Sequence, residues 1–253
     1  MRVNVLEMKN VVKVIDNEGE KQRVIMDLLS LTLKKGEFVI VLGGNGAGKS
    51  TLFNLISGNL KLTSGKIKIL TKDISSLSEE KRAKYIAHVF QDPKMGTAPR
   101  MTVSENLLLA MQRGERRGLQ KRQLKQHQDD FIKLLQLIGN GLEKHLNTPT
   151  GHLSGGQRQA LSLLMATMKN PDLLLLDEHT AALDPKTSTQ LMELTNKRIL
   201  ENQLTCLMIT HRMEDALKYG NRLIVLKKGK IVKDLNIEEK KQLQINDLLQ
   251  LFK

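Results

Sequence analysis

Up to about residue 75 the chain sets short apolar runs between turn signals, and stretches such as Gly65-Lys-Ile-Lys-Ile-Leu70 alternate with period two. That period turns every second side chain to the same face, so the region is predicted to be mainly strands. Phe38-Val-Ile-Val-Leu42 is apolar throughout, the pattern of a strand covered on both faces. It runs through Gly43-Gly-Asn-Gly-Ala-Gly48 into a segment of helical character, Lys49-Ser-Thr-Leu-Phe-Asn-Leu-Ile56.

Between about residues 92 and 152 the period changes. Thr102-Val-Ser-Glu105 has capping-box spacing ahead of Asn106-Leu-Leu-Leu-Ala-Met111, and Leu124, Phe131, Leu134, Leu135 and Ile138 share one face of a longer helix ending near Gly139. This block reads as a helical sub-domain inserted into an α/β core. Strand patterns return at Leu173-Leu-Leu-Leu176 and Thr205-Cys-Leu-Met-Ile209, each followed by a helical segment, as in a parallel sheet. Leu223-Ile-Val-Leu226 and Ile231-Val232 flank Lys-Lys-Gly-Lys as a hairpin.

A chain of 253 residues accommodates one such domain without disulfides or a structural metal. Cys206 is the only cysteine and lies in an apolar run, where it reads as a small buried hydrophobe. The N-terminus lacks an apolar core of signal-peptide length, and no stretch approaches the roughly 18 apolar residues of a membrane span. The formal net charge of +13 favours phosphates, anionic lipid surfaces or an acidic partner without choosing among them. The basic run from Arg113 to Lys125 contains no aromatic residue to stack on bases, which leaves a solvated face, membrane contact or nucleic acid as its readings.

Gly43-Gly-Asn45-Gly46-Ala47-Gly48-Lys49-Ser50 satisfies G-x-x-x-x-G-K-[ST] between a strand and a helix, the setting a phosphate-binding loop requires. Its glycines let backbone N–H groups and the helix N-terminus, including Thr51, close on phosphate oxygens. Lys49 would reach the β- and γ-phosphates and Ser50 would ligate Mg²⁺. Asp177 and Glu178 end an apolar strand and point in different directions. Asp177 suits Mg²⁺, and Glu178 suits the water that attacks the γ-phosphate; two acids at a strand end can also be a solvated turn. Leu153-Ser-Gly-Gly-Gln157 has Ser154 and Gln157 at capping-box spacing, opening a helix from Arg158 to about Lys169. Capping leaves Gly155 and Gly156 unexplained, because each helical glycine costs about 1 kcal/mol relative to alanine. A second phosphate site at this helix N-terminus would explain them.

Together with Gln91, Ala182-Leu-Asp184 and His211, these motifs stand in the order and spacing of ABC-class ATPases, which nearly the whole chain resembles. The resemblance implies an α/β fold: a P-loop NTPase core with a mainly parallel sheet, an N-terminal antiparallel β sub-domain and an inserted helical sub-domain. It divides a single domain, 1–253, into a core of 1–91 and 153–253 and a helical sub-domain of 92–152. It implies ATP and Mg²⁺ as cofactors, Gln91 joining core to helical block and meeting Mg²⁺ or the attacking water, and His211 bonding the γ-phosphate. Ser154 to Gln157 would bind the ATP held by a second copy, in a homodimer closing on two ATP molecules, and Asp184 would cross the dimer contact. Asp184 also reads as an N-cap with Pro185 at the first helical position.

The chain departs from the family pattern at two positions. Where an aromatic usually stacks on adenine, Val11-Val-Lys-Val-Ile15 has none, and Ile15 stands nearest the slot. His179 follows Glu178 where proline is common, and nothing in the sequence explains it. A single cassette without a fused span resembles the separate ATPase of a bacterial importer, of a group linked to aromatic amino acids. That implies transmembrane permease subunits, indirectly a substrate-binding protein, and a cytoplasmic position on the inner face of the membrane. A soluble ABC ATPase acting on nucleic acid or ribosomes is the alternative kept alive by the charge. Its relatives carry two cassettes or a long coiled coil, both absent from this sequence. The stretch from Met95 to Pro99, with Met101, is the expected docking surface for the membrane subunit.

Overall fold

The computed structural model describes residues 3–15, 22–115 and 123–250. Residues 116–122, the centre of the basic run, lie outside the described residues. Strands β1 (Asn4–Ile15), β2 (Arg23–Lys34) and β3 (Phe38–Leu42) lead to helix α1 (Lys49–Ser57). Strands β4 (Ser64–Ile69) and β5 (Lys72–Asp73), helix α2 (Glu79–Arg82) and strand β6 (Ile86–Val89) follow. Helices α3 (Val103–Met111), α4 (Gln128–Gln136) and α5 (Gly155–Thr167) come next. The chain then runs through β7 (Leu173–Asp177), α6 (Pro185–Glu201), β8 (Cys206–Ile209), α7 (Met213–Lys218), β9 (Arg222–Lys227), β10 (Lys230–Leu235), α8 (Ile237–Lys241) and α9 (Ile245–Gln250).

Among the described residues the strands form two sheets, an antiparallel one ordered β2-β1-β4-β5 and a six-stranded one ordered β10-β9-β3-β8-β7-β6. In the second, only the β9–β10 hairpin pairs antiparallel. Its central strands are buried on both faces, and successive residues feed different cores. Val39 and Val41 of β3 and Leu173 and Leu175 of β7 pack with α1 and the antiparallel sheet. Phe38, Ile40, Leu42, Leu174 and Leu176 pack on the opposite side, against α5 and α6. A third cluster joins Val103, Leu107, Phe131, Leu135, Leu142 and Leu146 of the helical block to Leu161 and Leu164 of α5. Helix α5 therefore belongs to both sides: Ala160, Leu163 and Ala166 face the sheet, while Leu161 and Leu164 face the helical block.

Two helix boundaries differ from the sequence reading. The long helix expected from Leu124 to Gly139 is a 3-10 turn over Leu124–His127 followed by α4, which starts where Asp129 and Asp130 can meet the positive end of a helix dipole. Gly139, at φ +70, ends it as expected. Helix α5 begins at Gly155, not Arg158, because Ser154 caps it and both glycines lie in its first turn.

Candidate functional site

Register sets the site. Val41 pairs with Ile209, Ile209 with Asp177, and Leu176 with Val89, so the C-terminal ends of β3, β8, β7 and β6 lie side by side. The loops carrying Gly43 to Gly48, His211, Glu178 and Gln91 all leave from this edge, the usual ligand side of a parallel sheet.

Gly43 must be glycine, since an added Cβ would stand 2.6 Å from Leu226 O and 2.9 Å from Ala47 Cβ. Gly46 and Gly48 adopt φ of +75 and +102, left-handed values that let the loop curl before α1. Lys49 opens α1 and donates from Nζ to Gly43 O at 2.6 Å and Gly44 O at 3.2 Å, which folds its charge back over the loop. Ser50 and Thr51 complete the first turn, while Gly44, Asn45 and Gly46 are exposed.

Asp177 continues the alternation of Leu173 and Leu175 and so faces the α1 side of the sheet. Burial and the neighbouring Glu178 charge raise its carboxyl above the ordinary range, with Lys49 pulling the other way. Glu178 has φ +43, a left-handed value unusual for a side chain with a Cβ, and its N–H donates to Ile209 O at 3.0 Å. Its Oε2 lies 3.2 Å from His211 Nδ1, so two residues far apart in sequence form a pair. Gln91 is exposed just beyond β6.

Ser154, Gly155, Gly156, Gln157 and Asp184 form a second group, lining a cavity of about 390 Å³ that no residue from Gly43 to Ser50 lines. Ser154 Oγ accepts from Gln157 N–H and Gln157 Oε1 accepts from Ser154 N–H, each at 3.2 Å. The glycines have different reasons. An added Cβ at Gly156 would stand 2.6 Å from Thr187 Cγ2, so this glycine is required by the packing of α5 on α6. At Gly155 the nearest atom is Leu183 Cδ2 at 3.9 Å, which leaves its backbone open to a ligand. Asp184 caps α6, accepting from Thr187 N–H at 3.1 Å, and this bonding holds its carboxyl below the ordinary range.

Sequence reasoning missed two supporting side chains, Gln159 and Arg82, and left a third, His179, unexplained. Gln159 is buried and donates to Phe90 O at 2.8 Å, joining α5 to the loop before Gln91. Arg82, fully buried, donates to Leu55 O and Ile56 O at 2.6 and 2.8 Å and so caps the far end of α1. His179 is buried against α6, with Nε2 3.0 Å from Thr195 Oγ1, and burial pushes its pKa down to about 4. Ile15 is exposed at the end of β1, paired with Arg23 of β2, the strand whose Ile25 carbonyl faces Gly48.

The ABC transporter family matches residues 26–181, a span that runs from β2 past Glu178 and contains both glycine motifs. The chain belongs to that family. As an ABC ATPase it hydrolyses ATP, and its likeness to other cassettes extends beyond the matched span. It is 46% identical over 247 residues to the tyrosine transport ATP-binding protein of Clostridioides difficile, covering 98% of each chain. It is 33% identical to a methionine import ATP-binding protein of Bacillus thuringiensis, over 90% of this chain and 65% of that protein's length. Its fold is similar, with a TM-score of 0.77 and 30% identity over 92% of this chain and 98% of the other, to a dimeric ATP-binding cassette in a post-hydrolysis state bound to ADP and Pi.

Proposed function

We propose that the chain energises an importer for an amino acid, with an aromatic one favoured by the 46% identical tyrosine transport relative. The observation that carries the catalytic reading is the sheet edge, where Gly43 to Ser50, Asp177, Glu178, His211 and Gln91 emerge from neighbouring strands. Gly43, Gly44, Asn45, Gly46, Ala47 and Gly48 would present N–H groups to the phosphates, with Lys49 turning from its two carbonyls to the β- and γ-phosphates. Ser50, Asp177 and Gln91 supply the oxygen donors Mg²⁺ prefers, and the metal would offset phosphate charge. Glu178 would hold the attacking water, with His211 beside it bonding the γ-phosphate.

Ser154 to Gln157 and Asp184 lie in a group of their own, which supports a site completed by a second copy. We expect Glu178→Gln to be a monomer or weak dimer without nucleotide and an ATP-stabilised homodimer with it, read by light scattering. A species that stays monomeric with ATP at high concentration rejects the two-ATP dimer.

The block 92–152 would move as a unit, since its helices have a core of their own shared with α5. Between it and the sheet lies an open cleft of about 940 Å³, lined among others by Tyr85, His88, Gly96, Leu109, Arg113 and Met165. This cleft suits the docking segment of a permease, with exposed Met95 next in sequence to its lining residue Gly96. A substrate-binding protein would deliver the amino acid outside, and the chain would sit on the cytoplasmic face. No described helix is long and apolar enough to cross a membrane.

A further inference from the structure

Glu178 and His211 stand on separate loops, and each is followed by a residue that reaches back to α6. His179 is 2% exposed, with Nε2 3.0 Å from Thr195 Oγ1. Thr195 is itself buried, and its hydroxyl donates to Leu191 O at 2.7 Å. A hydroxyl has one proton to give, so Thr195 accepts from His179 and Nε2 carries the hydrogen. Arg212, after His211, donates from Nη1 to the Oγ of buried Ser188. Ser188 and Thr195 are two turns apart on the buried face of α6. The helix that receives both anchors is capped by Asp184. Glu178 meanwhile holds φ +43, a conformation that costs about 1 kcal/mol or more and persists where its surroundings impose it.

We infer that His179 and Arg212 are positioning residues, which fix Glu178 and His211 against α6 through Thr195 and Ser188 and so tie the pair to Asp184. His179 would thus impose the backbone turn that aims the Glu178 carboxylate. The inference rests on the roles proposed above for Glu178 and His211.

The test compares ATP turnover, nucleotide affinity and melting temperature of the full chain with those of Glu178→Gln, His179→Met, His179→Gln, Thr195→Val and Ser188→Ala. His179→Met, Thr195→Val and Ser188→Ala should lower kcat about tenfold or more while nucleotide affinity stays within about twofold, as expected when a reacting group is misplaced. His179→Gln, which keeps an N–H near Thr195, should recover most of kcat. The His179→Met, Thr195→Val double variant should be no slower than either single one, since both break the same bond. Variants that lose melting temperature but keep kcat within about twofold of the parent, while Glu178→Gln is inactive, overturn the anchoring. Normal turnover in Glu178→Gln overturns the site reading and the inference with it. Should His179→Met fail to fold, the nearly isosteric Thr195→Val decides.

Discussion

Lys49 and Glu178 carry charge at the same sheet edge for different ends. Lys49 gives its ammonium to two loop carbonyls and would exchange them for phosphate, so Lys49→Ala should weaken nucleotide binding. Glu178→Gln keeps size and hydrogen bonding and should spare binding while removing turnover; measured affinity and phosphate release separate the two, and equal loss of affinity would reject the assignment. Two histidines set a pH dependence. Burial pushes His88 and His179 down to about 4 from the ordinary 6.5. Between those values each of these histidines binds more protons in the unfolded chain than in the folded one, so its contribution to stability falls as pH drops from 6.5 toward 4, by about 1.4 kcal/mol per pH unit at most. Asp172, Asp177 and Asp215, raised by burial, act in the opposite sense at the lower end of that range. The melting temperature should therefore be lower at pH 5 than at pH 7.5, and His179→Gln should flatten the difference. Of these residues Lys49 and Glu178 were legible from motif spacing alone. His179 was visible only as a departure from pattern, because its meaning depends on Thr195, 16 positions away on a helix face that packing selects.

At the scale of elements, what was legible is what is local. The boxes at Thr102 to Glu105 and Ser154 to Gln157 both close as their three-residue spacing requires. The hairpin of β9 and β10 forms around the predicted Lys-Lys-Gly-Lys turn. The split of the helix before α4 and the start of α5 at Gly155 were not legible to the residue, and neither was the reason for Gly156. A glycine pair reads as one signal, yet Thr187 Cγ2 occupies the space beside Gly156 while Gly155 is open. Gly156→Ala should therefore loosen α5 from α6 and destabilise the chain by about 1–3 kcal/mol, the ordinary range for overpacking. Adding Thr187→Ser, which removes the clashing methyl, should restore the melting temperature. No rescue by the second change would assign Gly156 to ligand approach instead.

In the whole molecule α5 packs on the sheet with one set of residues and on the helical block with another. Gln159 on this helix donates to Phe90 O, so the helix shared with the helical block is bonded to the loop before Gln91 at the sheet edge. If the open cleft receives a permease, Met95→Glu should leave nucleotide binding intact and abolish stimulation of ATP turnover by the membrane subunit. Stimulation equal to the parent's would move the docking surface away from Met95.

The strand order has a consequence for how the chain is made. Strand β3 has β8 and β9 as its neighbours, so Phe38 finds its partner Cys206 only after 168 further residues have been added, counting from 38 to 206. Every residue of β3 is apolar, and during synthesis it waits with its ladder hydrogen bonds unmet on both sides. Contacts of such sequence separation form late and slowly, and the emerging chain exposes a sticky segment meanwhile. The nucleotide-binding edge is therefore completed late in synthesis, since it requires β8 to insert beside β3. Until then those five apolar residues stay open to association with other exposed strands.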